Sequence, residues 1–201
     1  VVRFEATAHY LYESTARTAM ELTHRWAARS LAARGDSPQS LFAIVQGALF
    51  TELRRESARA LCEMPFDGFA IGGLAVGEGK SEREDTCEFT TGLLPQDRPR
   101  YLMGVGTPLD ILEAVHRGVD MFDCVMPSRN ARHGLLFTAN GTINIKNKKW
   151  STDFSVIDEE SECYVDLHYS KAYLRHLLKS GEFLGMQIAT IHNLAFYLRL
   201  M

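Results

Sequence analysis

Met121-Phe122-Asp123-Cys124-Val125-Met126-Pro127-Ser128-Arg129-Asn130-Ala131-Arg132-His133-Gly134 sets a carboxylate at the end of a short apolar run and places basic residues directly after it. Proline has no N–H to give to a central strand ladder, so a strand carrying Asp123 is expected to stop before Pro127 and to present its acid at the C-terminal end. Residues 128–134 read as a basic loop, so that an anionic nucleophile lies beside a phosphate clamp. A lone Asp at a strand end is more often a helix cap or a turn ligand. The run Ser128-Arg129-Asn130-Ala131-Arg132 tips the reading toward chemistry.

Upstream, strands are expected near 42–46, 68–72, 100–104 and 120–125, with a further one at 1–5. Helices are expected at 12–33, where Ala16, Met20, Ala27 and Leu31 recur near multiples of 3.6, and at about 49–64 and 82–94. Another helix is opened by Thr107 as N-cap with Pro108 at its first position and closes near Gly118. Alternating strand and helix is the pattern of a parallel α/β sheet. The fold class expected is therefore α/β, the C-terminal half of a (β/α)8 TIM-type barrel, because 201 residues fall short of the roughly 250 of a closed one. In such barrels the chemistry sits at the C-terminal strand ends. Residues 134–146 alternate apolar and polar around Asn140-Gly141, a hairpin signal. Residues 168–201 read as helical, with Ile188, Ile191, Ala195 and Leu198 on one face. The whole is one partial domain, 1–201, in which barrel elements and hairpin occupy 1–150 and a helical subdomain 151–201.

A hydrophobic content of 46% supports one sizeable core, and the net charge of −3 gives no global signal for nucleic acid. Charge is uneven, however. Between Asp123 and Asp153 there is no acidic residue, while Arg129, Arg132, Lys146, Lys148 and Lys149 fall in that window. Screening limits distant charges to about 8 Å, so such a stripe can bind phosphates on an acidic protein; the plainer reading is a solvated, Lys-rich surface. Cys62, Cys87, Cys124 and Cys163 are scattered, which fits a reducing cytoplasm, and no run of 18 apolar residues points to a membrane. Val rather than Met at position 1 leads us to expect a piece of a longer reading frame or a processed product.

The Asp123 segment resembles the nucleophile strand and anticodon-recognition loop of the tRNA-guanine transglycosylases, also called queuine tRNA-ribosyltransferases. Phe42-Ala43-Ile44-Val45-Gln46-Gly47, Gly72-Gly73-Leu74-Ala75-Val76-Gly77-Glu78 and Tyr101-Leu102-Met103-Gly104-Val105-Gly106 are similar to that family's base-pocket strands, in its order and near its spacing. The likeness covers about the whole chain and implies base exchange at the wobble position of tRNA, in the queuosine pathway, with Asp123 holding the ribose covalently as a retaining glycosidase does. The base would be guanine or a 7-deazaguanine. Gln46 offers a donor and an acceptor to its edge, Gly73 admits close approach to the amides around Leu74 and Ala75, Met103 walls the slot, and Glu78 takes the place of an acid that steadies the pocket backbone. The resemblance assigns Gly104, Val105, Gly106, Thr107, Pro108, Leu109 and Asp110, and Ser128, Arg129, Asn130, Ala131 and Arg132, to contact with the tRNA anticodon loop, the base being flipped out of it. A phosphate loop at Gly79-Lys80-Ser81 would need glycine at position 74 and finds Leu74.

Departures accompany the likeness. Where the family has Asp-Glu-Cys-Thr, this chain has Phe4-Glu5-Ala6-Thr7, so an acid that reads the purine edge is replaced by a side chain that accepts no hydrogen bond. The family's zinc set, Cys-x-Cys-x-x-Cys and a distant His, corresponds to Ser161, Cys163, Asp166 and His192, which leaves room for a zinc on Cys163, Asp166 and His192 but only three good ligands. Tyr169, Tyr173 and His176 resemble the aromatic dimer contact of bacterial members, implying a homo- or heterodimer. The family's second catalytic Asp, its general acid/base, lies upstream of Val1. Two rivals remain open: a non-catalytic partner subunit or RNA-binding remnant, favoured by Phe4, Ser161 and the missing half, and an unrelated barrel glycosidase, disfavoured by the lack of a second carboxylate near Asp123.

Overall fold

The computed structural model describes residues 12–201, so the expected strand at 1–5 and the Phe4–Thr7 segment lie outside the described residues. The chain divides into two compact units, one ending at Cys124 and the other running Val125–Met201. The division falls well before the expected 150/151 boundary, and the hairpin packs with the C-terminal helices.

In the first unit four strands alternate with four helices: α1 (Glu13–Arg34), β1 (Phe42–Val45), α2 (Thr51–Cys62), β2 (Gly68–Ile71), α3 (Lys80–Thr91), β3 (Arg100–Leu102), α4 (Pro108–His116) and β4 (Met121–Phe122). The sheet has the order β1-β2-β3-β4 with every pairing parallel. All four residues of β2 are buried, as a strand covered on both faces must be. Val45, Phe69, Ile71 and Leu102 join Ala58 and Leu61 of α2 and Cys87 of α3 in one core cluster. Ala16 and Met20 of α1 pack instead with Leu53. The start of α4 is as expected: Thr107 accepts the Asp110 amide at 3.2 Å, and Pro108 fills the first helical position, where no N–H is wanted. What the structure shows is an α/β fold with an open four-stranded parallel sheet among the described residues.

The second unit corrects two expectations. Residues expected to form a basic loop are helical, as α5 (Met126–His133), because Pro127 as its second residue suits a helix start and Gly134, at φ 86°, closes the last turn in the left-handed region. Its buried side, Pro127 and Ala131, leaves the arginines outward. The hairpin comes next, β5 (Leu135–Thr138) with β6 (Gly141–Asn144), in antiparallel register Leu136↔Ile143. The stretch expected to be helical over 168–201 is divided into α7 (Lys171–Ser180) and α8 (Phe183–Leu200), with the short α6 (Tyr164–His168) before it. Ser170 caps α7 by accepting the Tyr173 amide, and Gly181 at φ 77° ends it. The buried side of α8 is Gly185, Ile188, Ala189, His192, Asn193 and Tyr197, whereas Leu198 is 77% exposed. No helix among the described residues is long and apolar enough to cross a membrane.

Candidate active site

Strand register gathers the candidate residues of the first unit. Val45 pairs with Ile71, Ile71 with Leu102 and Leu102 with Phe122, so these four form one row across the sheet. The next residue of each strand is Gln46, Gly72, Met103 and Asp123, and all four fall at the C-terminal edge. Adjacent strands lie about 4.8 Å apart, so a flat row would span roughly 14 Å, the scale of one nucleotide.

Gln46 is 4% exposed, and its amide N–H meets Ser57 Oγ at 3.2 Å. Its side chain lies against the two glycines: a Cβ on Gly73 would stand 2.7 Å from Gln46 Oε1, and one on Gly72 3.1 Å from Nε2. Gly73 also has φ 68°, so both space and backbone require glycine there. Beyond it, Leu74 is buried and Ala75 is exposed. Glu78 closes this turn by accepting the amides of Val76, at 2.9 Å, and Ala75. Burial pushes the Glu78 carboxyl up, but the hydrogen bonds from Val76, Ala75 and its own amide outweigh that and hold it below its ordinary value. Ala48 and Ala75 are the two non-glycine residues with positive φ among the described residues, at 48° and 62°. They sit just beyond β1 and β2, where strained backbone accompanies candidate function.

Asp123 is exposed, one residue past β4. Its Oδ1 accepts the Tyr101 hydroxyl at 2.5 Å and the Gly104 amide at 2.9 Å. Oδ2 takes neither of these bonds. Burial, then the bond to Asp123 and its charge, push the Tyr101 hydroxyl up to about 12, so it stays a proton donor at neutral pH. Tyr101 was missed in the sequence although it lies within a quoted segment, on β3 two residues before Met103 and so directed to the same face. Met103, at the end of that strand, is half-buried.

Residues expected to contact RNA are divided in placement. Val105 and Gly106 are buried, and Asp110 is tied to Arg83 at 2.8 Å and to the Thr107 hydroxyl at 2.6 Å. Gly104, Thr107, Pro108 and Leu109 reach the surface. In the second unit Arg129 and Arg132 are exposed on α5, three residues apart and hence neighbours on one face. Ser128 and Asn130 are half-buried, and Ala131 is fully buried. Arg132 lines a groove with Tyr164, Tyr169, Phe183 and Ile188. The rings of Tyr169 and Tyr173 stack at 5.8 Å, and His176 is exposed on the same helix, α7.

Two of the three metal candidates, Asp166 and His192, form a hydrogen-bonded pair. Asp166 is 0% and His192 1% exposed, with Nδ1 of the imidazole 2.6 Å from Asp166 Oδ1. Nε2 lies 2.8 Å from the Phe137 carbonyl, which can only accept, so both ring nitrogens are engaged. A tetrahedral zinc bound to both groups at about 2.0–2.1 Å would hold them roughly 3.3 Å apart. Cys163 is half-buried, and no three His, Cys, Asp or Glu side chains are gathered to hold a metal among the described residues. The residues do not fit the ion. Beside the pair, Asn193 accepts the Phe137 amide at 3.1 Å and donates to the carbonyls of Pro127 and Leu135. An internal helical Asn gives no periodic apolar signal, so its role was not legible.

Against known proteins, the queuine tRNA-ribosyltransferase family model matches residues 2–201. The chain belongs to the queuine tRNA-ribosyltransferase family. It is 53% identical over 197 residues to the queuine tRNA-ribosyltransferases of Francisella tularensis subsp. mediasiatica (strain FSC147) and subsp. novicida (strain U112), in each case over 98% of this chain and 54% of the relative. The chain thus spans about half the length of the curated relatives it matches. Family membership accords with the parallel α/β sheet.

Proposed function

We propose that the protein exchanges guanine for guanine or a 7-deazaguanine at the wobble position of tRNA. The observation that carries this reading is the strand-end row: a carboxylate with one oxygen held by Tyr101 and Gly104, level in register with the Gln46 and Gly72–Gly73 base slot. Asp123 Oδ2 bonds to ribose C1′ as the bond from C1′ to the base nitrogen breaks, and the electron pair leaves with the base. The incoming base nitrogen then attacks C1′, the ester C–O bond breaks, and the carboxylate is regenerated. The leaving nitrogen takes up a proton and the incoming one gives one up, both through the general acid/base that the resemblance implies in addition to Asp123. Tyr101 holds the carboxylate in one orientation, and Gln46 with the Gly73–Ala75 amides reads the base.

Arg129 and Arg132 supply phosphate or base-edge contacts to the anticodon loop, and the stacked Tyr169 and Tyr173 with His176 serve a dimer contact. Neither role needs a metal. The decisive experiment incubates the protein with tRNA and guanine and seeks an adduct that survives denaturation. Asp123→Asn is expected to abolish it. An adduct that persists in that variant places the covalent bond elsewhere.

A further inference from the structure

One buried cation takes no part in this chemistry. Arg54 of α2 is 0% exposed and has no ion-pair partner among the described residues. Instead its three nitrogens divide among three main-chain carbonyls: Nε to Ala48 at 2.9 Å, Nη1 to Val45 at 3.1 Å and Nη2 to Gly72 at 2.8 Å. A helix anchored to the sheet by packing alone would carry an apolar side chain here. The burial of a guanidinium calls for a reason, since desolvation, only partly offset by the charges of Cys87 and Glu78, lowers its pKa to about 10. The three carbonyls are not scattered. Val45 ends β1, Ala48 is one of the two positive-φ alanines, and Gly72 comes directly after β2.

Peptide planarity transmits the hold. In a trans peptide the C=O and the next N–H point in opposite directions. Fixing the Gly72 carbonyl on Arg54 therefore turns the Gly73 N–H away from the guanidinium. The same bond polarises that peptide and makes its N–H a better donor. Ala48 is held by Arg54 as Ala75 is held by Glu78, so each of the two positive-φ alanines beside the slot is pinned by one charged side chain. The charge of Glu78 in turn reaches Arg54.

We propose that Arg54 is a positioning residue of the base slot: its planar fork fixes the ends of β1 and β2 and aims the Gly73 amide at the base. The proposal rests on the base-slot reading above. Lysine keeps the charge but not the fork, so it cannot hold three carbonyls in one plane.

The test uses the whole protein, with guanine affinity measured by calorimetry and tRNA affinity beside it. In Arg54→Lys, guanine should bind about tenfold more weakly or worse, on the scale of one lost charge-assisted hydrogen bond, with tRNA affinity unchanged. Leu61→Ala, on the same helix and fully buried in the core, removes stability without touching the fork and should leave guanine affinity as it was. Equal guanine affinity in wild type and a folded Arg54→Lys overturns the proposal while the base-slot reading stands. So does an equal loss in Leu61→Ala, which would trace the effect to general loosening. Wild-type protein that does not bind guanine removes the base-slot reading and the proposal with it. Should Arg54→Lys fail to fold, the nitrogen resonances of the Arg54 guanidinium and the Gly73 amide in wild type decide the matter. They should shift together as guanine saturates, and an unmoved Arg54 overturns the proposal.

Discussion

Replacing Asp166 by Ala strips His192 of its partner in a site where both groups are buried. Breaking a buried pair by deleting one member commonly costs about 3–5 kcal/mol. An offset applies here, because Asp166 Oδ2 is itself buried without a hydrogen-bond partner, and removing it relieves part of a penalty of about 1–3 kcal/mol. The expected net loss is about 2–4 kcal/mol. With a urea slope of about 2 kcal/mol/M, the midpoint should fall by about 1–2 M. The two tryptophans make the assay local, since Trp26 lies in the first unit and Trp150 in the second. In a Trp26→Phe background, Trp150 fluorescence tracks the unit that holds the pair. The same sample answers the metal question: purified wild type is expected to hold well under one zinc per chain, and a chelator to leave the Trp150 transition in place. Ser161→Cys with Asp166→Cys frees His192 Nδ1 and supplies four good ligands with Cys163, so zinc should then bind stoichiometrically and stabilise by about 4 kcal/mol at a thousandfold excess over Kd. A shift below about 0.5 kcal/mol in Asp166→Ala, the range of an ordinary surface change, refutes the inference that this buried pair ties α6 to α8. One tightly held zinc in the wild type refutes the argument from the two engaged ring nitrogens.

Tyr101→Phe removes one of the two bonds to Asp123 Oδ1; because the site is partly wet, adduct formation should slow by about tenfold, the low end for a charged hydrogen bond, and an unchanged rate would deny Tyr101 a part in orienting the acid. Glu78 has a depressed folded-state pKa, so its stabilising effect is present above the ordinary glutamate value of 4.5 and is lost as pH falls through the lower folded value. Exchange at the Ala75 and Val76 amides, corrected for intrinsic rate, should therefore accelerate in that acidic window, and Glu78→Gln should show fast exchange at every pH; a pH-independent wild type would contradict this. Arg129→Ala and Arg132→Ala should each weaken tRNA binding and reduce the log–log salt slope by about 0.7–0.9, and slopes equal to wild type would take α5 off the RNA.

The parallel sheet was legible because each strand is a short apolar run bounded by turn residues, and the expected ranges 42–46, 68–72 and 100–104 exceed the observed strands by one or two residues. The strand before Asp123 shrank most, to Met121–Phe122. Asp120 spends its carboxylate on the Arg100 amide, while Cys124 and Val125 lead into α5. Pro127 both excludes a continuing strand and suits a helix start, and from the sequence alone only the first is evident. The break between α7 and α8 had its own marker in Gly181. At the site, Gln46, Gly73 and Asp123 stood out by residue type at strand ends, and Glu78 and His192 through the resemblance alone. Arg54 and Asn193 did not, because a polar side chain facing inward on a helix lowers the apolar periodicity that would reveal that face.

The shared row Val45–Ile71–Leu102–Phe122 makes the site an index of strand length. Side chains alternate faces along a strand, so one residue inserted within β3 would turn Tyr101 to the opposite face and carry Met103 off the row, with no change in any group that does chemistry. The same insertion in the loop between α3 and β3 would be absorbed upstream of the register. Natural and engineered variants of this chain should therefore accept length changes in the segments entering its strands and exclude them within the strands, a pattern set by geometry rather than by the identity of the catalytic groups.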